Sequence, residues 1–355
     1  MIMKLNDAIT AIEPADQEFR QAATEHIRNL TMPPWALGEL LDLAVDLAGM
    51  TRNLKFPTAR KKIILMAGDH GIVCEGVCPQ PSSVTTQMLY NFVNGGAGVN
   101  VLARQVGATV TIVDVGVDAD LSELVRDGKI IDRKIRRGTA NFAVGPAMSR
   151  AEALQAIEAG IEVATTLAPE TDIFGTGEMG IGNTSPSSAI VAVMARAGND
   201  VRPFTGLGAG LAPEKLLHKA TVIQRGIDLN SPDPDDALDV LAKVGGFEIG
   251  GLAGVMLGAA AHRRPILVDG FISGAAALIA RALAPSVSDY LIAAHVGAES
   301  GHEAVIKMLN KKPLLNLGLR LGEGTGAALA MHLVDAAALI VNEMATFESA
   351  GVKVC

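Results

Sequence analysis

Several things are scarce in this chain, and each scarcity closes off a class of function. Positive charge is short: 30 Lys and Arg stand against 38 Asp and Glu, a net charge of -8. That balance offers no basic field to a phosphate backbone, so no nucleic-acid partner is expected. Cysteine is nearly absent, with Cys74, Cys78 and Cys355 alone. An odd, sparse set makes no disulfide framework and suits a reducing cytoplasm. Cys74 and Cys78 share a short segment, but no second pair accompanies them to complete a zinc site. The stretch MIMKLNDAITAIEPADQEF carries acids and Pro14 where a signal peptide needs an apolar run, so none is expected. The most apolar window, Val244 to Ala261, holds Glu248 and several glycines and reads as a buried helix, not a membrane span. There is no G-x-x-x-x-G-K-[ST] phosphate loop and no G-x-S-x-G nucleophile elbow. Internal repeats and low-complexity tracts are also missing.

What remains is ample material for a core: 49 % of the 355 residues are hydrophobic and 19 % charged. Apolar, β-branched runs recur, each closing on glycine or an acid. They are Lys61 to Gly71, Ala108 to Val117, Thr171 to Gly180, Asp200 to Gly210, Arg263 to Phe271, Ser288 to Glu299 and Leu314 to Gly324. Without polar alternation they read as strands buried on both faces. Stretches of helical length lie between them, among them Val84 to Gln105, Arg150 to Leu167, Ser187 to Ala197 and Gly274 to Leu283. Strand followed by helix, repeated, predicts a three-layer α/β fold around a mostly parallel, Rossmann-like sheet. Residues 54–324 are expected to form this large catalytic domain. Residues 1–53 and 325–355 are expected to form a smaller helical subdomain built from both ends of the chain.

In open parallel sheets ligands bind beyond the carboxyl ends of the strands. The polar, glycine-rich words fall there: Asp69-His70-Gly71, Gly177-Glu178, Thr205-Gly206, Asp269-Gly270, His295 and Glu323. In FGTGEMGIGNTSPSSAI, Gly175, Gly177 and Gly180 match the dinucleotide fingerprint, with Asp200 as the acid further on. Ser185 and Pro186 look like an N-cap and first helical residue, so the loop runs on through Gly182, Asn183 and Thr184. A long loop entering a helix N-terminus also suits a single phosphate. Both readings stand beside a merely structural loop. The glycines of FTGLGAGL admit an anion or a sugar to the backbone, or simply make a tight turn. Lys215 is placed to add a positive charge, although a solvated helix lysine fits the sequence equally. Asp69 and His70 lack the further carboxylates or histidines of a metal site and read as support for the neighbouring loop. No metal and no cofactor is expected. Gln87, opening the next helix, is a candidate contact for a flat ligand. Glu323, between Gly322 and Gly324, is the acid whose apolar setting would raise its pKa into the range of a general base.

These words resemble a known family, the nicotinate-nucleotide–dimethylbenzimidazole phosphoribosyltransferases of cobalamin synthesis. The matching stretches are AGDHGIVCEGV, NFVNGGAGVNVLARQ, GTGEMGIGNTSPSSAI, VGGFEIGGLAGVMLGAA, PILVDGFISGAAAL and LNLGLRLGEGTGAALAMHLVDAA. They run from about Ala67 to the end of the chain. The resemblance implies a two-domain α/β homodimer that moves the phosphoribosyl group of nicotinate mononucleotide to a benzimidazole. It implies Glu323 as the catalytic glutamate and Glu178 as a second active-site acid. It places the phosphate and ribose on Gly180, Gly182, Asn183, Thr184, Thr205, Gly206 and Gly208, and the incoming base near Gln87. The chain departs from the family pattern at Leu207, Ala209 and Gly297, positions that bear on the choice of base more than on the reaction. The alternatives are an NAD-dependent oxidoreductase using the Gly175/Gly177/Gly180 loop, and a non-catalytic binder of nucleotide-like ligands.

Overall fold

The structure is a computed structural model and describes residues 3–353; Met1, Ile2, Val354 and Cys355 lie outside it. Six parallel strands form the central sheet. They are β1 (Lys61–Gly68), β2 (Ala108–Gly116), β3 (Ile131–Asp132), β4 (Ile173–Met179), β5 (Ile266–Val268) and β6 (Leu291–Ala293), in the order β3-β2-β1-β4-β5-β6. The chain works outward from β1 and then returns to β4 on its other side. The switch point thus lies between β1 and β4, where open sheets of this order leave a crevice.

Both faces are covered, which explains why the strands lack polar alternation. On one face lies α11 (Phe247–Ala261), buried along its length, as the apolar window predicted. Its small residues have a purpose. A Cβ on Gly254 would stand 1.9 Å from the Ile157 carbonyl, and one on Gly160 would stand 1.9 Å from that of Gly251. The glycines therefore let α11 meet α7 (Arg150–Leu167) backbone to backbone. Fully buried Leu252, Val255 and Met256 add roughly 1.5–3 kcal/mol each from apolar burial. The opposite face carries α5 (Gly98–Gln105) and α14 (Thr325–Glu343). Ile63 of β1 faces the start of α14, while Met66, three residues along the strand, faces Gly251 of α11. Beyond these, α12 (Phe271–Leu283) packs against α11, and α8 (Thr184–Met194) against α12. The remaining helices are α6 (Ser122–Arg126), α9 (Leu216–Asn230), which packs on α8, α10 (Ala237–Val244) and α13 (His302–Leu309). At the two ends of the chain, α2 (Gln17–Arg28) packs on α3 (Glu39–Thr51), and α3 on α14. A bridge from Leu30 to Thr346 ties these ends together. In contrast, α1 (Leu5–Ala11) packs on α7 and α11.

Three expectations need correction. The run from Val84 to Gln105 is two helices, α4 (Ser83–Val93) and α5, because Gly95 at φ +75° turns the chain between them. The run from Asp200 to Gly210 is not a strand. Arg202-Pro203-Phe204 makes one 3-10 turn, and Gly208 and Gly210 then take positive φ. Pro203 has no N–H for a sheet ladder, which the apolar count overlooked. The last run forms β8 (Leu315–Leu319), but outside the main sheet. It pairs in parallel with β7 (His295–Gly297) as a two-stranded ribbon whose middle residues are exposed.

Candidate active site

A cavity of about 210 Å³ opens at the carboxyl ends of β4 and β5, under the ribbon. Glu178 at the end of β4, Asp269 just past β5, and Glu323 between β8 and α14 all line it. So do the Gly180–Thr184 loop, Gly208, His295 and Glu299. Cys78, Met88, Leu319 and Leu321 supply apolar wall.

Glu323 is buried and sits in the left-handed region at φ +62°, flanked by Gly322 at φ +80° and Gly324 at φ +96°. Its Oε2 accepts from the Val99 amide at 3.3 Å, at the start of α5. Burial pushes its pKa up, while the Val99 and Gly98 amides draw it back. The glycines around it make room for main chain and acids. A Cβ on Gly322 would be 2.3 Å from Glu178 Oε1, and one on Gly177 would be 2.4 Å from the Glu323 carbonyl.

Glu178 and Asp269 turn toward backbone. Glu178 Oε1 accepts from the Glu323 amide at 3.2 Å, and its Oε2 from Asn183 Nδ2. Asp269 accepts from the Gly324 amide at 3.1 Å and the Ala327 amide at 2.9 Å. Burial lifts both carboxyls to about 7. Asn183 therefore orients Glu178, a use of its amide that the sequence did not reveal.

The opposite wall is the start of α8. Thr184 opens the helix with Asn183 at its N-cap, so Ser185 and Pro186 fall inside the first turn, two positions further into the helix than expected. Beneath Gly180 lies the buried pair His70 and Glu248, 2.8 Å apart. Burial alone would lower the His70 pKa, but the Glu248 charge and hydrogen bond outweigh it and raise it. The Ile181 amide donates to Thr85 Oγ1 at 3.1 Å, pinning the loop from the side of α4. This is the supporting role expected of the Asp69-His70 tip.

Of the two lysines at the start of α9, Lys219 and not Lys215 reaches the cavity wall, from behind Thr184, while Arg320 is the cation that lines the cavity itself. Lys215 is exposed and does not line the cavity. Lys219, one helical turn on in α9, is buried, and its Nζ donates to Thr184 Oγ1 at 2.8 Å and to the Gly206 carbonyl at 2.9 Å. Burial lowers its pKa to about 8. The i to i+4 spacing was the available signal, but choosing between two lysines needs the phase of α9. Gly208, at φ +55°, lies against Thr184, where a Cβ would come within 2.8 Å of Oγ1. Thr205 is a buried brace whose hydroxyl donates to the Val201 carbonyl at 2.8 Å. Gln87 is exposed and stands off the cavity; its neighbour Met88 lines it instead.

The dinucleotide reading fails on this geometry. Gly175 and Gly177 lie within β4, not in a phosphate-binding loop. They clear space for α14: a Cβ on Gly175 would meet Met331 at 3.1 Å and Ala327 at 3.3 Å. Asp200 is at the surface, bonded to Arg202 Nε at 2.7 Å.

The family described as Phosphoribosyltransferase matches residues 12–352. The chain belongs to that family. The strand tips assemble a cavity with Glu178, Asp269 and Glu323 on one side and the start of α8, backed by Lys219, on the other. Among similar phosphoribosyltransferases is the nicotinate-nucleotide–dimethylbenzimidazole phosphoribosyltransferase of Syntrophotalea carbinolica, 56 % identical over 349 residues and 98 % of each chain. The protein of that name from Desulforudis audaxviator is 55 % identical over 350 residues, again 98 % of each. The crystal structure of the phosphoribosyltransferase of that description from Thermus thermophilus superposes with a TM-score of 0.88 at 39 % identity, over 96 % of this chain and 100 % of that one.

Proposed function

We propose that the protein transfers the 5-phosphoribosyl group of nicotinate mononucleotide to 5,6-dimethylbenzimidazole or a related base. The products are α-ribazole 5′-phosphate and nicotinate, in assembly of the cobalamin lower ligand. The observation that carries this reading is Glu323, a buried carboxylate at φ +62°, on the wall of a cavity whose other side is the N-terminus of α8, backed by Lys219 through Thr184. Chains that share this sequence over nearly their whole length bear that activity in their names.

The chemistry follows from the charges. The phosphate is held by the start of α8 and by Lys219 through charge-assisted hydrogen bonds. Gly180, Gly182, Thr184 and Gly208 shape the cradle, while Thr205 and Gly206 brace it from behind. The nicotinate ring is a pyridinium in the substrate and faces a carboxyl-rich wall. A ring nitrogen of the incoming base attacks C1′ from the face opposite the pyridinium. The C1′–N bond to nicotinate breaks, and its electron pair returns to the nicotinate ring, neutralising it. Inversion converts a β-nucleotide to an α product. As the attacking base gains positive charge, its N–H proton passes to Glu323. Burial raises its pKa, which makes the carboxylate a stronger proton acceptor. Glu178, with both oxygens engaged, positions the site and does not carry the proton. Cys78, Met88, Leu319 and Leu321 supply the apolar surface for the acceptor ring.

A homodimer in the cytoplasm is part of this proposal. It is supported by exposed Tyr90, Val101, Leu317 and Leu321 on α4, α5 and the β8 segment. Light scattering on the purified protein tests the dimer, and a monomer at micromolar concentration removes it. To test the reaction, the protein is incubated with nicotinate mononucleotide and dimethylbenzimidazole, and products are separated by chromatography. Nicotinate should appear in equal amount with a nucleotide whose sugar proton coupling is that of an α anomer. Absence of both, or a β product, overturns the reading.

A further inference from the structure

Gly322, Glu323 and Gly324 are three successive residues at positive φ, +80°, +62° and +96°. For a side-chain-bearing residue this conformation is strained, so it persists only where its surroundings hold it. Two carboxylates do so. Glu178 takes the Glu323 amide, as described above. Asp269 Oδ2 takes the Gly324 amide at 3.1 Å and its Oδ1 the Ala327 amide at 2.9 Å. The residue at the N-cap of α14 is Gly324, which has no side chain to satisfy the first amides of that helix. Asp269, reaching over from the tip of β5, takes the cap's place. His295 Nδ1 is 4.0 Å from Asp269 Oδ1, beyond hydrogen-bond reach.

We propose that Asp269 is a positioning residue for the transfer: by bridging the Gly324 and Ala327 amides it locks the left-handed turn that aims the Glu323 carboxylate. This rests on the reading of Glu323 as the base. Asparagine at 269 retains an acceptor for one amide but sets an NH₂ group against the other. The turn then relaxes, and a displacement of about 1 Å at the base costs on the order of 100-fold in rate.

The test is a double-mutant cycle with Asp269→Asn, Glu323→Gln and the pair. In each, kcat is measured with dimethylbenzimidazole, and nicotinate mononucleotide affinity by calorimetry. Asp269→Asn should lower kcat by about 10- to 100-fold while affinity stays within about threefold. In the Glu323→Gln background the same substitution should cost almost nothing, because the base it aims is gone. Should Asp269→Asn not fold, Asp269→Glu, which keeps the charge and shifts the oxygens by one methylene, is put through the same cycle with the same expected pattern. An equal loss in both backgrounds, or a fall in affinity that accounts for the whole effect, overturns the inference while the reaction stands. A wild-type protein that does not turn over removes the reading of Glu323 itself.

Discussion

The two walls of the cavity are built on opposite principles. On the acid wall, Glu178 and Asp269 direct their oxygens at the amides of Glu323, Gly324 and Ala327, so side chains hold backbone. On the wall proposed to take the phosphate, backbone and hydroxyl hold a side chain. Lys219 is buried and bonded to Thr184 Oγ1 and the Gly206 carbonyl. One wall therefore fixes where a proton acceptor stands, and the other fixes where a charge stands. The difference teaches that the acid wall should act on the chemical step and the phosphate wall on substrate affinity.

The comparison can be broken most sharply at its extremes. Glu323→Gln removes the proton acceptor and keeps the shape. It should lower kcat by about 10²- to 10⁴-fold, with the KM for nicotinate mononucleotide little changed, by steady-state kinetics. An equal loss in affinity would merge the two walls into one. Lys219→Met should do the converse. Removing a hydrogen bond to a charged group costs about 1.5–3 kcal/mol, so KM should rise by roughly 10- to 150-fold with a smaller change in kcat. The same lysine predicts a pH effect. Its amine is charged below a pKa of about 8 and neutral above it. The KM should therefore climb as pH rises through about 8, and Lys219→Arg should flatten that climb. Gly177→Ala tests whether the acid wall tolerates movement. The new Cβ would stand 2.4 Å from the Glu323 carbonyl, so the turn must shift. Overpacking of this kind costs about 1–3 kcal/mol, seen as a lower Tm, and kcat should fall with it. The smallest effect is expected at Lys215, exposed and off the cavity. Lys215→Ala should leave both kinetic constants within about twofold, as surface substitutions usually do.

Much of this site was legible before any coordinates. Buried strands announce themselves by apolar runs, and the polar residue ending such a run is at a strand tip by construction. Glu178 and Asp269 are legible that way; Glu323 ends an apolar run too, but that run is the half-exposed β8 outside the main sheet. Partnership was not legible, because it depends on distances between segments far apart in the chain. Asp269 was only one polar tip among several until its oxygens met the start of α14. Gly175 and Gly177 spelled a phosphate motif because a glycine leaves the same mark in sequence for an anion as for a neighbouring helix. Lys219 was passed over for Lys215 since both begin one helix and only its rotation buries one of them. The Asp200–Gly210 segment was misread because its apolar content was weighed more heavily than Pro203 and three glycines.

The chain arrives at Glu323 from the half-exposed β8 ribbon and leaves it into α14, a helix packed against the sheet. Leu319 and Leu321, on the arriving side, touch the cavity; the carboxylate accepts from the Val99 amide of α5, and the turn that carries it is held through the amides of Glu323 itself and of residues on the departing side. One short stretch thus carries two separable traits. On the proposed placement of the acceptor ring, changes before Gly322 would retune which ring is admitted. Changes after it strike the machinery common to every ring. Such a division lets a lineage drift from one acceptor to another without first losing the reaction.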